Sequence, residues 1–240
     1  TDLPKHLIVI GGGPIGIEMA QAHRHLGAEV SVLEMFKIMP KDDGELVDVV
    51  RTQIIKDGID LHEEIKVQRI EKSDTGVRVH ILKDGNERII EGSHLLMAAG
   101  RRPNVDGLEL EKAGIDYSPK GIQVDARLRT SNKKVFAIGD VAGGFQFTHV
   151  AGYHAGVVIK NALFRLPSKA DHRFVPWVTF TSPELAQVGL TEEQARKTND
   201  DIRVLSWPYA ENDRALAEGA TNGFVKVITT KKGKILGCGI

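Results

Sequence analysis

Residues 6–18 read HLIVIGGGPIGIE, and this stretch decides how the first part of the chain folds. Residues 7–10 are four consecutive apolar residues, which is typical of a strand buried on both faces of a parallel sheet. Gly11, Gly13 and Gly16 follow in the Gly-x-Gly-x-x-Gly spacing. Such glycines allow a tight turn, a close backbone approach to a pyrophosphate, and close packing of helix on strand. The stretch therefore predicts a strand, a phosphate-binding turn and a helix.

The residues after this turn indicate which ligand it binds. Pro14 can occupy the first helical position, where its missing N–H costs nothing, and the free amides of that first turn can face phosphates. Residues 29–33 predict the next strand, and Glu34 at its end can accept hydrogen bonds from both hydroxyls of an adenosine ribose. A carboxylate there repels the extra phosphate of NADP(H), so NAD(H) is favoured, although Lys37 lies close enough to weaken that preference. The predicted NAD(H) contacts are Gly11, Gly12, Gly13, Pro14, Ile15, Gly16 and Glu34.

Composition excludes several classes of function. The chain has 240 residues, with 32 basic and 32 acidic side chains, so no overall field favours nucleic acid or an anionic membrane. No apolar run approaches the roughly 20 residues that span a bilayer, and the N-terminus has no signal-peptide pattern. We therefore expect a cytoplasmic protein without a nucleic-acid or membrane partner. The nine histidines are scattered and predict no metal site. The single cysteine, Cys238, excludes a Cys-x-x-Cys redox pair. Its apolar surroundings in the sequence are more typical of a packed core residue than of a nucleophile.

The middle of the chain alternates predicted helices and strands. Asp42 and Asp43 mark the start of a helix that ends at Gly58, and residues 59–61 predict a third short strand. Three β-rich segments then predict an antiparallel meander, and an apolar strand leads to a turn at Gly100 near the cofactor cleft. These four segments are residues 66–71, 76–82, 87–91 and 94–98.

Beyond Pro103 the composition changes and a second domain is predicted. We expect a short helix over residues 108–113, strands over 121–124 and 135–138, and a helix of small and apolar residues from Thr148. From Val175 the pattern is α+β, with a strand at residues 178–181, a short helix opened by Thr191, and strands over residues 202–207, 223–229 and 234–239.

Four stretches together resemble the flavoprotein disulfide reductases of the pyridine nucleotide family. They are GGGPIGIE at 11–18, AAGRRPN at 98–104, VFAIGDV at 135–141 and PELAQVGLTE at 183–192, in the order of that family. The resemblance implies an α/β fold with a Rossmann-like NAD-binding domain and a β-meander insertion over residues 1–102. It further implies the C-terminal portion of an FAD-binding domain over 103–170, and the beginning of an α+β dimerisation domain over 171–240.

The resemblance also assigns roles to further residues. It places Val67 beside the adenine and Gly100 at the lip of the cleft, and it implies FAD as a second cofactor. Four residues would serve the flavin: Gly139 and Asp140 at the ribityl chain, and Thr148 and His149 at the start of the helix that faces the pyrimidine side of the ring. Asp140 could otherwise cap a turn, and Glu18, which matches a carboxylate paired with a lysine, could otherwise be a solvated helix-face residue.

The implied activity is hydride transfer between NAD(H) and FAD, with electrons passing to or from a disulfide, dithiol or metal-ion acceptor. The chain has neither a second glycine fingerprint nor a Cys-x-x-x-x-Cys pair, so we expect the C-terminal part of a longer, homodimeric reductase, inactive alone, and assign no catalytic residue. Two alternatives are a non-catalytic NADH-binding module that senses the nucleotide, and part of a soluble pyridine nucleotide transhydrogenase.

Overall fold

A computed structural model describes residues 2–74, 76–199 and 201–240. The chain divides into two compact units. The first unit contains the residues up to Gly100 together with Pro176–Ile240, and the second contains Arg101–Val175. None of the described helices is long and apolar enough to cross a membrane.

The first 100 residues build a parallel sheet with a meander beside it. Strands β3, β2, β1 and β7 lie side by side in that order, all parallel, and β4, β5 and β6 form a separate antiparallel sheet. The predicted meander is confirmed. In chain order the elements are β1 (His6–Ile10), α1 (Pro14–His25), β2 (Glu29–Leu33), α2 (Gly44–Lys56), β3 (Asp60–His62), β4 (Lys66–Ser73), β5 (Gly76–Lys83), β6 (Asn86–Gly92) and β7 (His94–Met97).

Strand β1 is buried on both faces, as its unbroken apolar run predicts. Leu7 and Val9 belong to the core shared with α1 and α2. Ile8 and Ile10 belong to a second core, which includes apolar residues of β5 in the meander. The parallel sheet is therefore the middle layer between the helices and the meander.

The second unit has less regular structure than the sequence predicts. It contains β8 (Tyr117–Ser118), β9 (Gly121–Ile122), a 3-10 turn (Gly139–Ala142) and α3 (Thr148–Ala162). Helix α3 begins at Thr148 as predicted. The strand expected over residues 121–124 is only two residues long, so its predicted extent is wrong.

Two further predictions for this unit are wrong. Residues 108–113 form a series of turns rather than a helix, because Glu109 has a left-handed backbone (φ 51°) and so short a segment nucleates poorly. Residues 135–138 form an isolated bridge between Phe136 and Arg129 rather than a strand. A tight turn from Asn132 to Val135 folds this segment back on Thr130, which prevents a longer ladder.

The remainder of the first unit is an antiparallel sheet with two short helices. Its strands lie in the order β10, β11, β14, β13, β12. The predicted helix start at Thr191 is confirmed as a capping box, in which Thr191 and Gln194 each accept the other's backbone N–H. The elements are β10 (Pro176–Thr179), β11 (Leu185–Gly189), α4 (Glu192–Thr198), β12 (Ile202–Pro208), α5 (Asp213–Glu218), β13 (Phe224–Thr230) and β14 (Ile235–Gly239).

A buried ion cluster joins the two segments of the first unit. Lys226 in β13 is 2% exposed, and its Nζ lies 3.0 Å from Oδ1 of Asp43, 2.9 Å from Glu45 and 2.6 Å from Glu192. Asp43 also accepts the backbone N–H groups of Glu45 and Glu192, the first turns of α2 and α4. One carboxylate therefore caps two helices and neutralises a buried cation.

Candidate functional site

The glycine turn between β1 and α1 has the close contacts that its spacing predicts. Gly11 has φ 113°, and a Cβ there would lie 2.4 Å from the carbonyl oxygen of Ala98. A Cβ at Gly16 would lie 1.9 Å from the carbonyl oxygen of Gly11, so helix and strand touch backbone to backbone. At Gly13 no atom lies within 4 Å of the Cβ position. Two glycines are thus required by packing, while the third leaves an open face on the turn.

Helix α1 presents its N-terminus at this open face. Gly13 is the N-cap residue with an extended backbone, it forms no side-chain cap, and Pro14 follows at the first helical position. The first N–H groups of a helix have no intrahelical acceptors and attract an anion. Ile15 is 47% exposed beside them. The geometry is suited to a phosphate group with an apolar neighbour.

Glu34 lies directly against the turn. Its Oε2 accepts the N–H of Gly12 at 2.5 Å, and its Oε1 accepts the N–H of Phe36 at 2.8 Å. The backbone carbonyl of Gly12 accepts the N–H of Met39 at 2.9 Å. Strand β2 therefore delivers a half-buried carboxylate to the glycine turn, and two backbone amides fix its orientation.

The other two predicted NAD(H) contacts lie on separate elements of the first unit. Val67 is half-buried in β4, pairs with Ile81, and precedes a bulge that ends at Arg69. Its side chain packs against the core between sheet and meander. Gly100 is exposed after β7 and has φ 109°, a conformation that favours glycine. The structure thus gives Gly100 a backbone reason to be glycine and gives Val67 a packing role.

The predicted flavin residues lie in the second unit. Gly139 has φ 65°, and a Cβ there would lie 3.0 Å from Cβ of Ala151 in α3. Asp140 is exposed, and its Oδ2 lies 3.9 Å from Nη1 of Arg101. The 3-10 turn that holds Asp140 begins without a side-chain cap, so the carboxylate does not serve as the cap of that turn.

Helix α3 places Thr148 and His149 in its exposed first turn. The N-cap residue is Phe147, which forms no side-chain cap. The imidazole of His149 stacks on the ring of Phe147, with centroids 5.3 Å apart and an angle of 11° between the planes. The helix N-terminus and a flat aromatic pair therefore lie on the same face of the second unit.

Glu18 is not merely a solvated helix-face residue. Its Oε1 accepts the N–H of Phe180 at 2.8 Å. One turn further along α1, the buried Gln21 accepts the N–H of Ser182 at 2.7 Å and donates to its carbonyl oxygen at 2.9 Å. Gln21 was missed by sequence reasoning, and its i+3 spacing from Glu18 is the only signal that could have found it. Helix α1 is thus fixed to the segment after β10.

The described residues show no group of three or more His, Cys, Asp or Glu side chains placed to hold a metal ion. Cys238 is half-buried in β14, and burial raises the pKa of its thiol. The thiol is therefore protonated at neutral pH, which fits a packed residue rather than a nucleophile.

Comparison with known proteins identifies the family. Residues 1–155 match the family described as pyridine nucleotide-disulphide oxidoreductase, and residues 175–240 match the dimerisation domain of that family. The chain belongs to the pyridine nucleotide-disulphide oxidoreductases. Members of this family are flavoproteins that use FAD and NAD(P)H, and its mixed α/β fold is the one observed here.

Similar proteins within the pyridine nucleotide-disulphide oxidoreductases carry several names. A mercuric reductase from Lysinibacillus sphaericus is 38% identical over 98% of this chain and 44% of its own length. A dihydrolipoyl dehydrogenase from Staphylococcus aureus is 38% identical over 96% of this chain and 50% of its own length. The Cu(II) complex of the HOCl-induced flavoprotein disulfide reductase RclA from Escherichia coli superposes with a TM-score of 0.90 at 34% identity, over 100% of this chain and 56% of that one. The chain spans about half the length of the curated relatives it matches.

Proposed function

We propose that this chain forms the NAD(H) site and part of the FAD site of a flavoprotein disulfide reductase. In this proposal residues 1–102 bind NAD(H), residues 103–170 contribute to the FAD site, and residues 171–240 form the dimer interface. The observation that carries the proposal is the bond from the Gly12 N–H to the Glu34 carboxylate, because it joins the phosphate-facing turn to an acceptor for ribose hydroxyls.

Each residue of the NAD(H) site has a defined task. The open turn at Gly13 receives the pyrophosphate, and the first amides of α1 donate to it. The carboxylate of Glu34 accepts from the adenosine ribose and disfavours the extra phosphate of NADP(H). Val67 lies beside the adenine, and Gly100 lies at the lip of the cofactor cleft.

Bound FAD supplies the hydride and electron chemistry between NAD(H) and a disulfide, dithiol or metal-ion acceptor. The protein's own contribution is to bind and orient. Asp140 accepts from the ribityl chain, and the α3 N-terminus at Thr148 and His149 favours negative charge on the pyrimidine side of the flavin. The apolar neighbour at Ile15 limits the access of water beside the phosphate-facing turn.

Glu34→Gln is expected to weaken NADH binding by about 1–3 kcal/mol, because charge-assisted hydrogen bonds to the ribose become weaker neutral ones. Calorimetric titration with NADH measures this loss. NADPH binding should weaken less than NADH binding or improve, since the repulsion of its phosphate is removed.

The control variant is Glu29→Gln, which changes an exposed carboxylate at the first residue of β2, the strand that precedes Glu34, and should bind NADH like the unmodified chain. Thermal unfolding of both variants separates loss of binding from loss of structure, because Glu34 also anchors the Gly12 and Phe36 amides. An unchanged NADH affinity in Glu34→Gln would remove Glu34 from the site.

The flavin half of the proposal is tested by titrating the same chain with FAD. Asp140→Asn should weaken FAD binding and leave NADH binding unchanged. NADH binding with little or no FAD affinity would support a complete nucleotide site beside an incomplete flavin site. Tight FAD binding, with reduction of the complex by NADH, would show a self-sufficient flavin site and contradict the proposal that the chain holds only part of it.

A further inference from the structure

The buried imidazole of His154 contacts the backbone of the turn that carries Asp140. His154 lies in α3 and is 3% exposed, and its Nδ1 lies 3.2 Å from the backbone nitrogen of Gly139. A backbone N–H can only donate, so Nδ1 must accept. A neutral imidazole that accepts at Nδ1 carries its proton on Nε2. The contact therefore selects one tautomer of His154.

A second histidine continues this chain of hydrogen bonds. Nε2 of His154 lies 2.7 Å from Nε2 of His172, and the two rings meet edge-on, with centroids 5.0 Å apart and planes at 78°. Because Nε2 of His154 donates, Nε2 of His172 must accept, and the proton of His172 lies on Nδ1. The bonds from Gly139 to His154 and from His154 to His172 are satisfied together only when both rings are neutral.

We propose that His154 is a positioning residue for the flavin-binding turn, that it holds Gly139 and Asp140 through the Gly139 N–H, and that His172 keeps it in the accepting tautomer. This inference rests on the proposed role of Asp140 toward FAD. Gly139 has φ 65° in a buried position, and fixing its N–H fixes the Ile138–Gly139 peptide, one residue before Asp140. That peptide sets where the turn carrying Asp140 begins, although His154 itself does not touch the flavin.

Protonation of either ring breaks the arrangement. A protonated His172 has two donors and no acceptor for the Nε2 proton of His154, and a protonated His154 has no acceptor for Gly139. Burial lowers the pKa of His154 below its usual 6.5, and the neighbouring His172 lowers it further. Because the pKa of His154 is lowered in the folded chain, the anchoring is fully present above about pH 6.5 and is lost only as the pH falls through that lowered pKa.

The charged groups around His154 and His172 do not reverse the direction of this pH dependence. Asp171 and Arg173 flank His172 and form an ion pair with each other. Hydrogen bonds from Arg173 lower the pKa of Asp171 to about 2, so this carboxylate stays ionised over the relevant range. The hydroxyl of Tyr153 accepts the N–H of Asp171, and Asp140 faces Arg101.

The experiment measures the hydrogen-exchange protection of the Gly139 amide by NMR in the 240-residue chain without flavin, together with its FAD affinity by calorimetry. His154→Leu, which removes the acceptor at similar volume, should lower the protection of Gly139 by about tenfold and weaken FAD binding by a similar factor. His154→Asn offers an oxygen close to the Nδ1 position and should retain most of the protection. Nitrogen-15 spectra of His154 should show a proton on Nε2 and none on Nδ1.

His172→Gln tests the second histidine, because its side-chain oxygen accepts but does not titrate. It should match the unmodified chain at pH 7.5, and in both proteins the protection of Gly139 should be lost as the pH falls through the lowered pKa of His154. The control on the same helix is Lys160→Gln, an exposed residue in the last turn of α3, which should change neither quantity.

The possible results distinguish a failure of the positioning role of His154 from a failure of the proposed role of Asp140 toward FAD. Unchanged protection of Gly139 in His154→Leu, or a proton on Nδ1 of His154, overturns the positioning role. A second result would be reduced protection of Gly139 in His154→Leu, with the FAD affinity unchanged both in His154→Leu and in Asp140→Asn. It would show that His154 anchors a turn that does not bind flavin, and it would overturn the role of His154 in flavin binding. The inference is supported if His154→Leu shows both reduced protection of Gly139 and weaker FAD binding, while Asp140→Asn shows weaker FAD binding with the protection unchanged.

Discussion

Gly16→Ala should destabilise the chain by about 3 kcal/mol or more. Inserted methyl groups in packed regions typically cost about 1–3 kcal/mol, and the cost is higher when the obstacle is backbone. Here the new Cβ would lie 1.9 Å from the carbonyl oxygen of Gly11. Either α1 must move away from β1, or the glycine turn between them must deform. Urea unfolding measures the loss of stability, and titration with NADH should show loss of binding.

Two other glycines serve as matched comparisons for Gly16→Ala. Gly44 lies at the exposed first position of α2 with no atom within 4 Å of its Cβ position, so Gly44→Ala should leave stability and binding intact. Gly13→Ala also meets no atom within 4 Å and has φ −73°. It should fold normally yet bind NADH less well, because the methyl group occupies the face offered to the pyrophosphate. A Gly16→Ala protein as stable as Gly44→Ala would contradict the close helix packing.

Lys226→Met should destabilise the chain by about 3–5 kcal/mol, because it leaves the buried carboxylate of Asp43 without its cation. Asp43 is 5% exposed and binds Lys226 through both oxygens, at 3.0 and 3.1 Å. Glu45 and Glu192 complete the charge around the ammonium group. Chemical denaturation at neutral pH measures the effect, and moderate salt should change it little, since buried charges are poorly screened.

The control for Lys226→Met is Lys231→Met. Lys231 is exposed and pairs with Asp201 at 2.7 Å, with both side chains 63% exposed. Such surface pairs contribute between zero and about 1 kcal/mol, so this variant should remain close to the unmodified chain. Equal stability losses in the two variants would show that the buried cluster contributes no more than a surface pair.

The cluster also gives the chain a defined pH dependence. The hydrogen bond from Lys226, opposed by burial, lowers the pKa of Glu192 below its usual 4.5. A lowered carboxyl pKa stabilises the fold above the ordinary glutamate pKa, and that stabilisation is lost as the pH falls through the folded-state pKa. For Lys226, burial lowers the pKa, but the hydrogen bonds that it donates to Glu192, Glu45 and Asp43 outweigh burial and raise the pKa. The ammonium group therefore stays charged at neutral pH, and acid rather than mild base should weaken the cluster.

Features that depend on neighbours in the sequence could be predicted from the sequence. The glycine turn, the carboxylate of Glu34 and the capping box at Thr191 each rest on a few adjacent residues, whose chemistry allows few alternatives. The strands of the meander were also predicted, because turn residues separate them and each pairs with the next along the chain.

Features that depend on distant partners were not predicted. Gln21 and Ser182 are 161 residues apart, and Lys226 and Asp43 are 183 residues apart. Nothing in the local pattern of either residue indicates such a partner. The expected helix over residues 108–113 and the strand over residues 135–138 failed for a related reason, because a left-handed residue and a tight turn overrode the local preference of short segments.

The carboxylate of Asp43 that caps two helices has a consequence for the order of events during synthesis. The first 100 residues leave the ribosome well before β13 and α4 exist, and residues 101–175 alone take about 4–15 s to be made at usual rates. During that delay Asp43 can cap α2 but has neither Lys226 nor the N–H of Glu192. The nascent parallel sheet and its helices must therefore wait, with the surface of α1 and α2 uncovered, for a lysine encoded 183 codons after Asp43.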